Sequence, residues 1–139
     1  MKKLILVLFI PLIVQGQINN TWLIGYGNWA VRARIIFETN NYILTQESRQ
    51  MGFQGAEATI SDDNGNFLMS SNGVWIADAT GDTMINGGGL NPSWDVNAHP
   101  NGILTENSNM FLPFPNDSNK YILIHHALFS DISTYSYWG

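Results

Sequence analysis

The sequence predicts an all-β protein built from antiparallel meanders, with little or no helix. Two Asn-Gly pairs, Asn64-Gly65 and Asn72-Gly73, are each followed by an apolar run, and Asn-Gly is a strong signal for a reversal between strands. No segment of about ten or more residues keeps the 3.6-residue period of an amphipathic helix. Charged residues make up only 12% of the chain, so much of its polarity comes from Asn and Gly, which are weak helix formers.

The segment around these two pairs predicts a three-stranded meander. Its strands are Ala58–Ser61, 66–71 and 74–77. A type I′ turn needs positive φ at both central positions, and Asn-Gly tolerates that conformation. We therefore expect a tight reversal at each pair.

Further strands are predicted on both sides of the meander. The runs 32–37 and 42–44 precede it, and the runs 109–114 and 120–129 form a second hairpin closed by a polar turn at 116–119. Between them, residues 81–102 are rich in Gly, Asn and Pro and predict a long loop, with Met84 and Trp94 as apolar plugs. In total the pattern predicts about two sheet units.

The predicted strands are apolar on both faces. Phe67 and Met69 lie on one side of their strand and Leu68 on the other, and Ile122 and Leu123 alternate in the same way. A strand that is apolar on both faces needs cover on both, as small sheets stacked in a β-propeller provide. The fold expected is a partial propeller of about two blades, with an open apolar face at each end.

The first sixteen residues predict a cleaved export signal. Lys2 and Lys3 precede an apolar run, 4–14, that is too short to cross a bilayer. Cleavage after Gly16 places the mature N-terminus at Gln17 and the product outside the cell or on its outer surface, without a transmembrane span. The mature chain then carries four basic and eleven acidic residues, a net charge of −7, which disfavours nucleic-acid binding. The chain has no cysteine, so packing alone must hold its core.

Several motifs, in order, resemble one family. They are the opening 22–29 (Trp22, Gly25, Tyr26), the meander, the stretch 84–92 and the second hairpin 112–126; within the meander the matching residues are Phe53, Ala58, Ile60, Ser61, Asp62, Gly65, Asn66, Leu68, Asn72, Gly73 and Ile76. In this order the chain is similar to the N-terminal, β-propeller-like region of large secreted Bacteroidota proteins. Those proteins are exported by the type IX secretion system and carry a type A sorting domain.

The resemblance implies a location and a fold but no reaction. Family members run to several hundred residues, and many end in a sorting domain or an immunoglobulin-like stalk. Residues 17–139 are therefore expected to be an incomplete propeller-like segment, ending at Trp138 and Gly139 before the ring closes. Met69, Ser70 and Ser71 stand where the family usually has Phe-Tyr-Thr.

No motif in the chain is a strong indication of catalysis or of metal binding. Ser61, Asp63 and Gly65 fit part of the Asp-box of sialidase-type propellers, where the aspartate ties up turn amides, so we interpret them as turn architecture. A calcium loop on the same turn lacks a ligand at its first position and Glu at its last. His125 and His126 are adjacent in a strand and point to opposite faces, which disfavours a shared metal.

Two surface features leave an alternative open. Trp22, Tyr26 and Trp29 either close the first sheet as core or stack on sugar rings. The triplet 82–84 resembles an O-glycosylation acceptor pattern, with Thr83 as the acceptor. No catalytic, cofactor-binding or metal-ligating residue is predicted.

The function expected is that of a secreted or cell-surface, non-enzymatic propeller segment acting in adhesion or interaction, with an unknown ligand. Its partners would be the remainder of its own propeller or an envelope protein, and glycans are a further candidate. The alternative is the N-terminal part of a sialidase-like, glycan-processing propeller enzyme whose catalytic residues lie outside this sequence. Arg32, Arg34 and Arg49 precede the meander, so a carboxylate-binding arginine cluster is not expected beside it.

Overall fold

The computed structural model describes residues 20–27, 31–91 and 94–127. The predicted signal 1–16 and Trp29 lie outside the described residues. The described residues form three small antiparallel sheets and one short helix. The first sheet contains β1 (Thr21–Ile24), β2 (Ala33–Phe37) and β3 (Tyr42–Gln46); the middle sheet contains β4 (Ala58–Ser61), β5 (Phe67–Ser71) and β6 (Ile76–Ala77); the helix α1 is Trp94–Ala98; the third sheet contains β7 (Asn109–Pro113) and β8 (Tyr121–His125).

The all-β prediction is confirmed, and so is the antiparallel meander β4-β5-β6. The number of sheets was underestimated. Thr21–Ile24 forms a strand that the sequence pattern did not predict, and it pairs with β2 in a three-stranded first sheet. The described residues form no closed ring.

The first Asn-Gly turn differs from the predicted type I′ form. Gly65 has a φ of 83°, but Asn64 is not among the residues with positive φ. The Gly65 amide donates to Asp62 O, and the Asp62 amide donates to Asn66 O. This is a three-residue hairpin loop, in which a glycine with positive φ follows the turn. The turn therefore requires glycine at position 65, whereas Asn64 does not adopt a positive φ.

The second Asn-Gly turn shortens β6. Asn72 Oδ1 accepts hydrogen bonds from the amides of Val74, at 3.0 Å, and Trp75, at 3.2 Å. Because a side chain occupies these two amides, they do not join the ladder, and β6 begins at Ile76 instead of Val74.

The long loop after β6 begins with a second copy of the first turn. Asp78 to Asp82 repeat the hydrogen bonds of Asp62 to Asn66, again around a glycine with positive φ. The turn returns the chain to the sheet, where Thr83 bridges Ala77 and the Met84 amide donates to Ile76 O. Further along, the predicted plug Trp94 is wrong, since it lies on α1 with 50% of its surface exposed.

The three sheets stack in chain order through their first strands. β1 contacts β4, and β4 contacts β7. One core lies between the first and middle sheets and contains Leu23, Met51, Phe53 and Ala77, with Phe67 and Trp75 packed against it. The other lies between the middle and third sheets and contains Ala58, Ile60 and Phe111, with Leu68, Met69, Ile76, Tyr121 and Leu123 packed against it. The middle sheet is therefore covered on both faces. The alternation predicted within β5 is wrong, because Phe67 packs against one core and both Leu68 and Met69 pack against the other. A register shift opposite Ile60 and Ser61 breaks the alternation.

No helix among the described residues is long and apolar enough to span a membrane.

Candidate interaction surfaces

The side of the first sheet that faces away from the middle sheet is apolar and exposed. The register places Trp22 beside Ile35 and Ile35 beside Leu44, so these residues share a face with their neighbours two positions along the strands. Trp22 is 51% exposed and Leu44 is 58% exposed. We call this surface the first outer face; its exposed members are Trp22, Ile24, Phe37, Tyr42 and Leu44.

The third sheet exposes an apolar surface at the opposite end of the stack. Met110 pairs with Ile124, and Leu112 pairs with Ile122. Their side chains alternate with the inward-facing Phe111 and with Tyr121 and Leu123, which pack on the middle sheet. We call these four residues the third outer face; Met110 is 55% exposed and Ile124 is 54% exposed.

None of the residues that define the two outer faces is charged, although the chain as a whole has a net charge of −5. Lys120 borders the third outer face, because its carbonyl accepts from the Phe114 amide and continues the β7–β8 register. Soluble proteins scatter single apolar residues over their surfaces, whereas contiguous apolar patches mark interaction sites. The two outer faces are patches of this second kind.

The aromatic residues near the N-terminus are exposed, so the prediction that they form core is wrong for the two that the structure describes. Trp22 and Tyr26 are 51% and 50% exposed. Trp22 packs edge-to-face on Phe37, with 4.9 Å between ring centroids, and Tyr26 forms a parallel bridge with Phe53. Nothing in the local sequence could show this, because exposure depends on whether a further sheet covers the face.

The arginines hold the first sheet to the segment that follows it. Arg49, whose side chain is 6% exposed, donates to the backbone carbonyls of Ile24, Ala33 and Met51 and pairs with Glu47 at 2.7 Å. Arg34 pairs with the same carboxylate at 2.8 Å. The Glu47 carboxylate engages both guanidinium groups, and backbone oxygens also engage that of Arg49, so Arg34 and Arg49 act as scaffold.

A hollow of about 410 Å³ lies where the three sheets meet. It is lined by Trp22 of β1, by residues at the start of β4 including Glu57 and Thr59, and by Asn107 before β7. Burial raises the pKa of the Glu57 carboxyl to about 7, although nearby Arg49 acts in the opposite direction. Glu57 is nevertheless an exposed residue, because the hollow is open, so solvent weakens the effect of burial on its pKa. A carboxyl group with this pKa can hold or release a proton near neutral pH. No motif or residue pattern in the sequence singles out Glu57.

The Asp-box aspartate was assigned to the wrong residue. Asp62, and not Asp63, ties up the turn: its carboxylate accepts from the amides of Asn64 and Asn66 and from the Asn66 side chain, at 2.8–3.0 Å. The Asn66 side chain, followed by these amides, lowers the pKa of Asp62. The motif therefore serves turn architecture, as predicted, but through Asp62 instead of Asp63.

A groove of about 660 Å³ separates this turn from the turn between β7 and β8. Asp62, Asp63, Asp117 and Tyr121 are among its lining residues. Asp117 forms an ion pair with Lys120 at 2.8 Å. Burial, together with Asp63 and Asp62, raises the pKa of the Tyr121 hydroxyl. The groove is acidic, but most of its polar groups already serve the two turns.

The remaining candidates stay apart from one another. His125 is half-buried on β8, while His126 is exposed beyond the strand. Within the described ranges, no group of three or more histidine and acidic side chains could hold a metal ion. Thr83 is exposed, so its hydroxyl is accessible for modification. Comparison of the chain with protein-family models, curated proteins and solved structures finds no match.

Proposed function

We propose that this chain is a secreted or cell-surface propeller segment that acts as a non-enzymatic interaction module. The observation that carries the proposal is the pair of apolar outer faces at the two ends of the stack, whose defining residues are all uncharged. The partners we propose are further sheets of its own propeller or an envelope protein that presents an apolar β surface.

The propeller assignment is supported by the way the sheets follow one another. Each sheet is a meander or hairpin of consecutive strands, and its first strand contacts the first strand of the next sheet. In the middle sheet, Thr83 and Met84 add a short fourth segment beside β6. Four short antiparallel segments make up one propeller blade.

Export is tested by the mass of the secreted protein. The signal predicts a mature chain that starts at Gln17, and an N-terminal glutamine can cyclise to pyroglutamate. Intact-mass analysis of secreted material should show the loss of residues 1–16. Material that retained Met1 would contradict the proposed export route.

A second candidate function is glycan processing, and the hollow around Glu57 is the observation that favours it. Trp22, which is half exposed, and the Glu57 carboxyl, whose pKa is raised to about 7, line the same hollow. Glycoside hydrolysis uses two carboxyl groups; Glu57 would supply the one that acts as general acid, and the second would come from outside this sequence. A glycan array followed by a hydrolysis assay separates the two functions. Binding without turnover supports the interaction module, whereas turnover that is lost in Glu57→Gln supports the enzyme.

A further inference from the structure

We propose that two copies of this chain associate head to tail, with the third outer face of one copy docked on the first outer face of the next. The inference rests on the interaction role proposed above for the choice of surfaces. For residues 17–139 by themselves it names a second copy as the occupant of the faces that further sheets or an envelope protein would otherwise cover.

The molecule already makes this kind of contact twice. The middle sheet packs on the first through β1 and β4, and the third packs on the middle through β4 and β7. The first outer face and the third outer face are the two sides of the stack that have no sheet against them among the described residues. A second copy placed in line would pack its first outer face against the third sheet, in the same way that the third sheet packs its inner side against the middle sheet.

The chemistry of the two faces suits contact with each other. The first outer face offers the aromatic rings of Trp22, Phe37 and Tyr42, and the third outer face offers the flexible thioether chain of Met110 and the branched aliphatic chain of Ile124. Thioether and aliphatic groups pack well on aromatic rings. Because the chain is acidic overall, copies repel one another elsewhere, and the uncharged faces are where close approach is least opposed.

The two faces are different surfaces, so the contact is heterologous. A heterologous contact leaves one face free on each end of the complex, and it continues until a ring closes or a filament forms. The mature chain should therefore form assemblies whose mass rises with protein concentration, rather than stopping at a dimer.

The test uses one lysine substitution on each face. Leu44→Lys blocks the first outer face and Ile124→Lys blocks the third; both side chains are more than half exposed, so the fold should tolerate them. Thr39→Lys, at an exposed turn position, is the matched control for added charge. Circular dichroism and a thermal melt verify that each variant is folded.

Light scattering and sedimentation then measure the mass of each variant alone and of the two variants mixed. Each blocked variant alone should be monomeric, since association weakens by about tenfold or more when an unpaired charge is buried. The mixture should form a one-to-one complex that grows no further, because only one intact contact can be made. The Thr39→Lys control should assemble like the wild type.

Three outcomes would overturn the proposal. A monomeric wild-type chain would show that the faces do not self-associate. Continued dimerisation of either blocked variant alone would show a symmetric contact between identical faces. Monomers in the mixture, from a wild type that assembles, would place the interface elsewhere. In each case, the intact mass of the secreted protein and the glycan array with its hydrolysis assay still test the proposed function independently.

Discussion

The middle sheet and the third sheet have strands of similar pattern but different surroundings. Both β5 and β8 carry apolar residues on both faces. Phe67, Leu68 and Met69 in β5 all pack against one of the two cores, whereas in β8 only Tyr121 and Leu123 are covered, and Ile122 and Ile124 face solvent. An apolar pattern on both faces therefore predicts that a strand needs cover on both sides. The neighbouring sheets determine whether both sides are covered.

The largest expected difference comes from the same substitution in the two regions. Ile60→Ala in the middle sheet, where the side chain is fully buried, should lower the free energy of unfolding by about 2–5 kcal/mol, because it leaves a cavity between two sheets. Ile124→Ala on the third outer face should lower it by about 1 kcal/mol or less, since only strand propensity and surface contacts are lost. Urea unfolding of both variants measures the two changes in the free energy of unfolding. Equal losses would contradict the conclusion that Ile60 is covered by a neighbouring sheet and Ile124 is not.

Glycine substitutions sharpen the comparison by separating backbone strain from packing. Gly73 in the middle sheet has a φ of 83°, and an added Cβ would lie 2.6 Å from Ile103 Cγ1. Gly89 has a φ of 72° but no atom within 4 Å of an added Cβ. Gly89→Val should cost about 1–3 kcal/mol from strain alone, and Gly73→Val should cost more, because Ile103 must also move.

The control for this pair is Gly88→Val, where an added Cβ meets no atom within 4 Å and φ is not in the left-handed range. Its thermal midpoint should stay close to that of the wild type. A midpoint for Gly73→Val as high as that of the control would contradict the assigned turn.

Glu57, in the hollow between the sheets, should make the stability of the protein depend on pH. Because burial raises the pKa of Glu57 from 4.5 to about 7, the folded state favours the protonated carboxyl. The resulting stabilisation is full below pH 4.5 and is lost as the pH rises through about 7. Glu57→Gln removes this loss, so the variant should gain melting temperature relative to wild type as the pH rises through that window. Parallel melting curves for the two proteins would show that the carboxyl is not desolvated.

The smallest expected effect has the opposite sign and comes from the first turn of the middle sheet. Hydrogen bonds from Asn66 and Asn64 lower the pKa of Asp62 from 3.8, so its stabilisation is full above pH 3.8 and is lost as the pH falls through the lowered folded-state value. Asp62→Asn should be slightly less stable than wild type near neutral pH and should lose less stability in acid. Asp63→Asn, on the neighbouring exposed residue, is the matched control and should behave like wild type in thermal melts across that range.

Several features of the fold were predictable because they depend on short-range chemistry. Glycines that must adopt positive φ mark the reversals at 65 and 73, and alternation within 58–61 and the apolar run at 67–69 mark the paired strands. The second Asp turn, at 78–82, was missed although its sequence Asp-x-Thr-Gly-Asp resembles Asp-x-Asn-Gly-Asn at 62–66. That similarity was the signal that could have found it.

The all-β class, the antiparallel meander and the apolar strand faces could all be read from the residues, because turn geometry and side-chain alternation act over a few positions. Which faces are covered, the exposure of Trp22, the contacts of Arg49 with backbone carbonyls and the position of Glu57 in a hollow depend on how the sheets pack. Those properties come from segments far apart in the chain that meet only when the sheets stack. Burial and pKa depend on that distant packing, and no local pattern of residues encodes it.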